Sequence, residues 1–525
     1  MGGQTRALWI KQLRLIPLIV FLWVVVSCGP SPKQSPPAIN ELNAEQLAKT
    51  HCSRCHQYPQ PTLLPRSTWG EYVLPRMGYL MGFFEHDSIR DQLLLESGAA
   101  QRLSQANTFP QYPTIDRQHW QKIQEYYLSN APVGYPRMPE MPVDQIGNLF
   151  KAIYPTTMFS PPSTTMVTIS DDKRLTVSDA HTRSLMVFND QLQLENLAKI
   201  GEGAVTLLTE RNRFLVTVMG SFSPTDAALG KLISLPIDRS KKPKILLKEL
   251  QRPVHASSAD LNNDGLTDLV ISEFGKWTGK LSWHRNLGND SYESKVLKAE
   301  AGAIKTVLVD LNQDQHLDVI ALFGQAREGI YIFYGDGRGN FEEQLAVELS
   351  AAHGSNSFEV IDFNGDGDLD LLLTAGDNAD YPPVLKPFHG IYLFLNDGEN
   401  NFYQDIFIPY HGAYAAKPFD FDRDGDLDIA AISFFPNFAD PDHQGFLLFQ
   451  NQGDDTFTAL SFEGIQPGRW LVMDTGDLDH DGDEDIVLGS LAFEVVGRPE
   501  LTRQWTQSGI PFVLLENQTI AQSVP

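Results

Sequence analysis

At 525 residues the chain is too long for one compact domain of ordinary size, and its 42% hydrophobic content can build a sizeable core. A formal net charge of −25 argues against nucleic acid or an anionic membrane surface as an electrostatic partner. Only Cys28, Cys52 and Cys55 carry thiols, which excludes a disulfide-stapled scaffold and leaves packing and bound cations to hold the chain.

The first 27 residues read as a targeting segment. Arg6, Lys11 and Arg14 form a basic region ahead of an apolar run, Leu15 to Val26. Twelve residues fall short of the roughly 20 that a membrane span needs. The run ends in Val25-Val26-Ser27-Cys28, which resembles the lipobox of bacterial lipoproteins. That resemblance implies acylation of Cys28, which becomes the first mature residue and anchors the chain to the cell envelope. Residues 28–40 follow as a stiff, proline-rich tether.

Residues 41–133 read as a small all-α domain. Asn43 and Gln46 have the spacing of a capping box, so a helix is expected to start there. It delivers Cys52-Ser53-Arg54-Cys55-His56. In C-x-x-C-H two thiols one turn apart reach the two vinyl groups of a haem, and the adjacent imidazole reaches the iron. Half a zinc site would need a second cysteine pair, and a thioredoxin-like redox pair would need a βαβ setting; the chain shows neither. One covalent haem c is therefore expected on Cys52 and Cys55, with His56 on the iron. Met77 is favoured as sixth ligand, since Pro75 orients the turn before it, and Met81 is the alternative. Met138 and Met141 fall beyond the last expected helix, which runs from about Asp116 to Asn130. Trp120, Ile123, Tyr127 and Leu128 give that helix an apolar stripe and Pro132 stops it. This module resembles a monohaem cytochrome c domain.

After a linker at 134–145, residues 146–525 repeat. Five segments share one pattern of oxygen donors: Asp260, Asn262, Asp264 and Asp268; Asp310, Asn312, Asp314 and Asp318; Asp362, Asn364, Asp366 and Asp370; Asp420, Asp422, Asp424 and Asp428; Asp477, Asp479, Asp481 and Asp485. They start 50, 52, 58 and 57 residues apart, and an apolar run follows each. Oxygens at positions 1, 3, 5 and 9, with a backbone carbonyl at 7, suit Ca²⁺, and glycine at position 6 permits the sharp turn. Gln315 takes the place of that glycine in the second loop, so four to five ions are expected. Strands rather than helices flank these loops, which resemble those of FG-GAP (integrin-type) repeats. Two further units without the Asp spacing precede the first loop, one around Met166–Phe188 and one around Val205–Leu235. Two and five make a seven-bladed β-propeller. The last unit stops after three strands, and Asn148–Tyr154 is placed to supply the fourth and close the ring.

The loops joining second to third strands gather on the face opposite the Asp loops. Four are long, at about 219–230, 376–390, 434–445 and 491–509. They hold Asp377, Asp380, Tyr381, Lys386, His389, Asp440, Asp442, His443 and Arg503, without a recognisable catalytic constellation. Such loops either bind a partner or cover the ring.

The mature chain resembles the haem-bearing FG-GAP/VCBS-repeat lipoproteins of Bacteroidetes-type bacteria. The residues that carry the match are Cys52–His56, Val73-Leu-Pro-Arg-Met-Gly78, the Asp loops, Gly376–Gly390 and Gly468-Arg-Trp-Leu-Val-Met-Asp474. The resemblance implies haem and calcium binding and a cell-envelope location, and it favours Met77. The leading expectation is electron transfer, with the propeller docking a redox partner protein. One alternative is an enzyme that oxidises a small molecule or sugar on the long-loop face and passes electrons to the haem. Another is a surface protein that binds glycans or proteins.

Overall fold

The computed structural model describes residues 42–135, 141–238, 240–379, 383–439, 445–453, 456–462, 465–495 and 497–520. The targeting segment, Cys28 and the tether lie outside these residues, as do Met138, Asp380, Tyr381, Asp440, Asp442 and His443. Among the described residues no helix is long and apolar enough to cross a membrane.

The N-terminal part is helical. Ala44–Cys52 buries Leu47, Ala48 and His51 against Arg117–Asn130, which presents Trp120, Ile123 and Tyr127. Asp116 caps the latter helix, its Oδ1 accepting from the Gln118 N–H at 2.7 Å. Between them, Arg66–Thr68, Trp69–Val73 and Leu74–Leu80 run on as one helical stretch, whose middle segment is a π-helix. Pro75 explains the widening. It lacks an N–H and its ring crowds the preceding turn, and the wide turn lets Leu74 bond back to the Trp69 carbonyl instead.

The rest is a seven-bladed all-β propeller. Blade 1 runs from Thr164–Ile169 to Leu194–Lys199, blade 2 from Ala204–Glu210 to Lys244–Leu250, and blade 3 from Pro253–Ala259 to Tyr292–Lys298. Blade 4 spans Ala303–Val309 to Phe341–Glu348, blade 5 Ser355–Ile361 to Phe402–Pro409, and blade 6 Ala413–Phe419 to Phe457–Ser461. Blade 7 comprises Trp470–Gly476, Asp485–Ser490 and Phe512–Asn517, and Phe150–Ile153 adds its fourth strand, antiparallel to Phe512–Asn517. The ring thus closes as the strand count expects. The stretch read as linker also contributes: Val143–Gln145 is a fifth strand on blade 6, parallel to Phe457–Ser461.

Burial follows strand position. The second strands of blades 3 to 7 are buried along their whole length, which is why their sequences are continuous apolar runs such as Leu371-Leu372-Leu373. Fourth strands such as Leu194–Lys199 are largely exposed. First strands converge on the axis, each packing on the first strand of the next blade. Four of them in succession carry Lys305, Glu359, Lys417 and Asp474, joined by ion pairs of 2.7, 3.2 and 4.0 Å.

The helical part is seated on the propeller. Ser97 accepts from the Asp226 N–H at 2.9 Å and the Thr225 hydroxyl at 3.0 Å, and Arg102 donates to the Asp226 carbonyl. Asp226 is fully buried, and its Oδ1 accepts from the N–H groups of Lys276, Trp277 and Thr278 at 3.2, 2.9 and 2.7 Å. Trp277 in turn packs edge-on against Phe109, joining the Leu94, Leu103 and Phe109 core of the helical part. Two propeller loops, from blades 2 and 3, therefore complete a helical core.

Candidate functional site

Three groupings have chemical potential, and the first lies at the end of Ala44–Cys52. Cys52 is half-buried, with its Sγ 3.8 Å from the Tyr127 hydroxyl, and Cys55 is exposed; both are free thiols. Burial pushes the Cys52 thiol up from its ordinary value, with the Tyr127 hydrogen bond working against that. His56 is half-buried and its Nδ1 lies 2.9 Å from the Gln57 carbonyl. With Nδ1 protonated, Nε2 keeps its lone pair for a metal. Burial lowers the His56 pKa, which favours that neutral form. Tyr127 donates to the Pro59 carbonyl at 2.7 Å and Trp69 to the Pro61 carbonyl at 2.8 Å, so two aromatic anchors pin the segment after the motif. His51, beside Cys52, is buried, and neither of its ring nitrogens has a hydrogen-bond partner among the described residues. Met77 sits within Leu74–Leu80 and Met81 at its C-terminal cap; both are half-buried. Gly78 between them packs on Trp120.

The second grouping is the set of Asp loops. All five join first and second strands and lie on one face of the ring. Their internal hydrogen bonds repeat. Asp260 accepts from the Asp264 and Gly265 N–H groups at 3.1 and 2.8 Å, and Asp310 from those of Asp314 and Gln315 at 3.0 and 2.8 Å. Asp362 and Asp420 do the same in their loops. Positions 1, 3 and 5 come together: one carboxylate oxygen from each of Asp420, Asp422 and Asp424 lies within 4.8 Å of the others, as for Asp477, Asp479 and Asp481. In the other three loops Asn262, Asn312 and Asn364 supply position 3, and each amide donates to the position 5 carboxylate, at 2.9, 3.1 and 2.8 Å.

Position 9 differs. Asp268, Asp318, Asp370, Asp428 and Asp485 are fully buried. One oxygen of each accepts from the N–H at position 2 and the other from the third strand, as Asp428 does from Phe421 at 3.2 Å and Asn451 at 2.7 Å. These five carboxylates tie the loop to its own blade. Burial raises their pKa, for Asp428 and Asp485 to about 7. Position 6 has positive φ throughout, +82° at Gly265, +95° at Gly367, +103° at Gly425 and +96° at Gly482, and Gln315 is held at +73°. Position 4 is left-handed too, in Asn263, Gln313, Gly365, Arg423 and His480, a requirement that the mixed residues there conceal.

The third grouping is the long-loop face. Lys386 and His389 are buried rather than displayed; the Lys386 ammonium donates to the Ala352 and Asp377 carbonyls at 2.9 and 3.2 Å. Arg503 is exposed, on the helix Pro499–Ser508. Phe222 of blade 2 packs with Phe434, Phe435, Leu471 and Leu491 of blades 6 and 7, so side chains from distant blades cover this end of the ring. Beneath them Arg469 is buried, with its guanidinium 3.7 Å from the Phe434 ring centre and within 6 Å of Phe435, Phe438, Phe493 and Trp505. It donates to the Phe434 and Phe493 carbonyls at 2.8 and 3.0 Å. Burial lowers its pKa to about 9. Sequence reading flagged Arg469 only as part of a resemblance, because its neighbours come from separate loops.

Residues 260–321 and 310–373 match the FG-GAP-like repeat family, so the blades there are FG-GAP-like repeats. No curated protein matches the chain. Among solved structures, an Agrocybe aegerita lectin that recognises non-reducing terminal N-acetylglucosamine is similar at 18% identity, over 58% of this chain and 82% of the lectin, with a TM-score of 0.39. A catalytically inactive virginiamycin B lyase from Staphylococcus aureus, with quinupristin, is similar at 11% identity, over 70% of this chain and 99% of the lyase, with a TM-score of 0.44. Neither likeness carries a functional argument.

Proposed function

We propose that the chain is a c-type cytochrome of the bacterial cell envelope, anchored through lipid on Cys28, which transfers electrons through one haem and uses a calcium-binding propeller as docking scaffold. The observation that carries this reading is the donor set at the end of Ala44–Cys52. It comprises two free thiols one turn apart and an adjacent imidazole whose Nδ1 is engaged by a carbonyl. Cys52 and Cys55 would hold the haem by thioethers and His56 Nε2 would ligate its iron, with Met77, or Met81 in its place, as a second protein ligand. The orphaned His51 ring next to the thiols fits a site built to enclose a further group. When bound, the haem supplies one-electron chemistry. The chain's own part is to hold the imidazole in one tautomer, wall the site with Tyr127 and Trp69, and exclude water. For calcium, Asp420, Asp422 and Asp424, and Asp477, Asp479 and Asp481, offer converging hard oxygens.

The test is an optical redox spectrum of mature protein made with c-type haem maturation. The expected result is a covalent low-spin haem whose methionine–iron band is lost, and whose potential falls, in Met77→Ala but not in Met81→Ala. Absence of covalent haem would sink the proposal. A second reading is an enzyme that oxidises a small molecule or sugar on the long-loop face. It is favoured by the seating of the helical module on that face through the blade 2 loop. Substrate-dependent reduction of the haem would select it.

A further inference from the structure

On the long-loop face, between blades 1, 2 and 7, lies a cavity of about 290 Å³. Ligand pockets span about 300–1,000 Å³, so this one suits a single small ring. His181 and Arg183 reach it from the turn between Leu175–Asp179 and Ser184–Phe188, Ser163 and Glu202 from blade connections, and Phe222 and Phe493 from two long loops.

The walls are fixed from behind. Buried Asp179 accepts from the Thr182 N–H at 2.6 Å and the Ser163 N–H at 2.8 Å, which locks the turn that carries His181 and Arg183. Glu202 accepts from the Phe222 N–H at 2.9 Å, and Arg183 stands 3.8 Å from its other oxygen. The Phe222 carbonyl accepts from Arg252 at 3.0 Å and the Phe493 carbonyl from Arg469 at 3.0 Å. The two phenyl rings lie 6.3 Å apart, tilted by 56°. Phe493 nonetheless remains 47% exposed, so an aromatic ring is held at the cavity rim without being covered. Such prearrangement lowers the ordering cost of binding.

The chemistry of the lining selects a class of ligand. One cation and one anion face each other, so an ionic ligand would separate a charge pair to replace it. Donors from Arg183, His181 and Ser163 stand beside acceptors from Glu202 and Ser163, a mixture that matches hydroxyls, which both donate and accept. The rings offer apolar surface to a ligand whose other edge is polar. We infer that this cavity binds a neutral polyhydroxylated ring, one saccharide unit, with its C–H face on Phe222 and Phe493 and its hydroxyls on Arg183 and Glu202. The inference is independent of the haem proposal, since none of these residues belongs to the thiol motif.

The experiment titrates the mature full chain with methyl glycosides of glucose, galactose, mannose and xylose, followed by saturation-transfer NMR and calorimetry. Sodium acetate and sodium glucuronate serve as charged comparators. At least one neutral glycoside is expected to bind saturably. Phe493→Ala should weaken it about tenfold, the scale of a truncated aromatic anchor, with the folded propeller retained because the ring is half exposed at the rim. Arg183→Gln should weaken it at least about fivefold through a lost charge-assisted hydrogen bond. Three results would overturn the inference: no neutral glycoside binds, both variants bind like wild type, or only the charged comparators bind.

Discussion

Gln315 holds a left-handed backbone, φ +73°, where four sister loops use glycine. Gln315→Gly should relieve about 1 kcal/mol, raising Tm slightly and tightening calcium at that loop in a calorimetric titration. An unchanged titration would mean that this loop holds no ion. Glu359 makes a second prediction. Burial opposes its charge, but Lys305 and Lys417 outweigh that and hold its carboxyl below the ordinary 4.5. A depressed carboxylate contributes stability above its unfolded pKa and loses it as pH falls through the folded value. Glu359→Gln should therefore lower stability by roughly 3 kcal/mol at neutral pH, the scale of breaking a buried pair, and flatten the acid limb of a Tm–pH profile below about pH 4.5. At this scale the Asp loops were legible because donors alternate at fixed spacing. The inward role of position 9 was not, since an aspartate that binds metal and one that ties a loop to its blade look alike in sequence.

At the scale of elements, blade count and ring closure were readable from repeated apolar runs and one orphan strand. The helix Pro499–Ser508 was not, because a single turn pair, Leu501 and Trp505, inside a long connection gives too little periodicity. Val143–Gln145 was hidden likewise, being three residues long and paired in parallel. The closing strand offers a direct test. Lys151 pairs with Glu516, two residues on from the bond of the Gln518 N–H to the Leu149 carbonyl, and Lys151→Pro deletes a ladder donor and stiffens the strand. The expected outcome is a drop of several degrees in the single thermal transition of the propeller. A separate early transition for blade 7 alone would show that the blades melt independently.

At the scale of the whole molecule, the helical part and the propeller share a core. Trp277→Ala should open the cluster around Leu94, Leu103 and Phe109 and release a helical fragment on limited proteolysis, while blade packing persists. If the Asp loops hold calcium as proposed, chelation should lower Tm as well, since like charges then crowd each loop. The docking itself was invisible in sequence: Ser97, Thr225 and Asp226 look like ordinary loop residues until Asp226 is seen collecting backbone donors from the next blade. The closure of the ring also sets an order of events in time. Phe150–Ile153 leaves the ribosome before the seven blades do, yet its partner Phe512–Asn517 follows only after the other strands of the ring. Until Phe512–Asn517 is made, the strand waits unpaired and blade 7 stays incomplete. Slow, non-local pairing of this kind exposes a chain to misassociation, so the interval before blade 7 closes is the one in which the ring is most open to wrong partners.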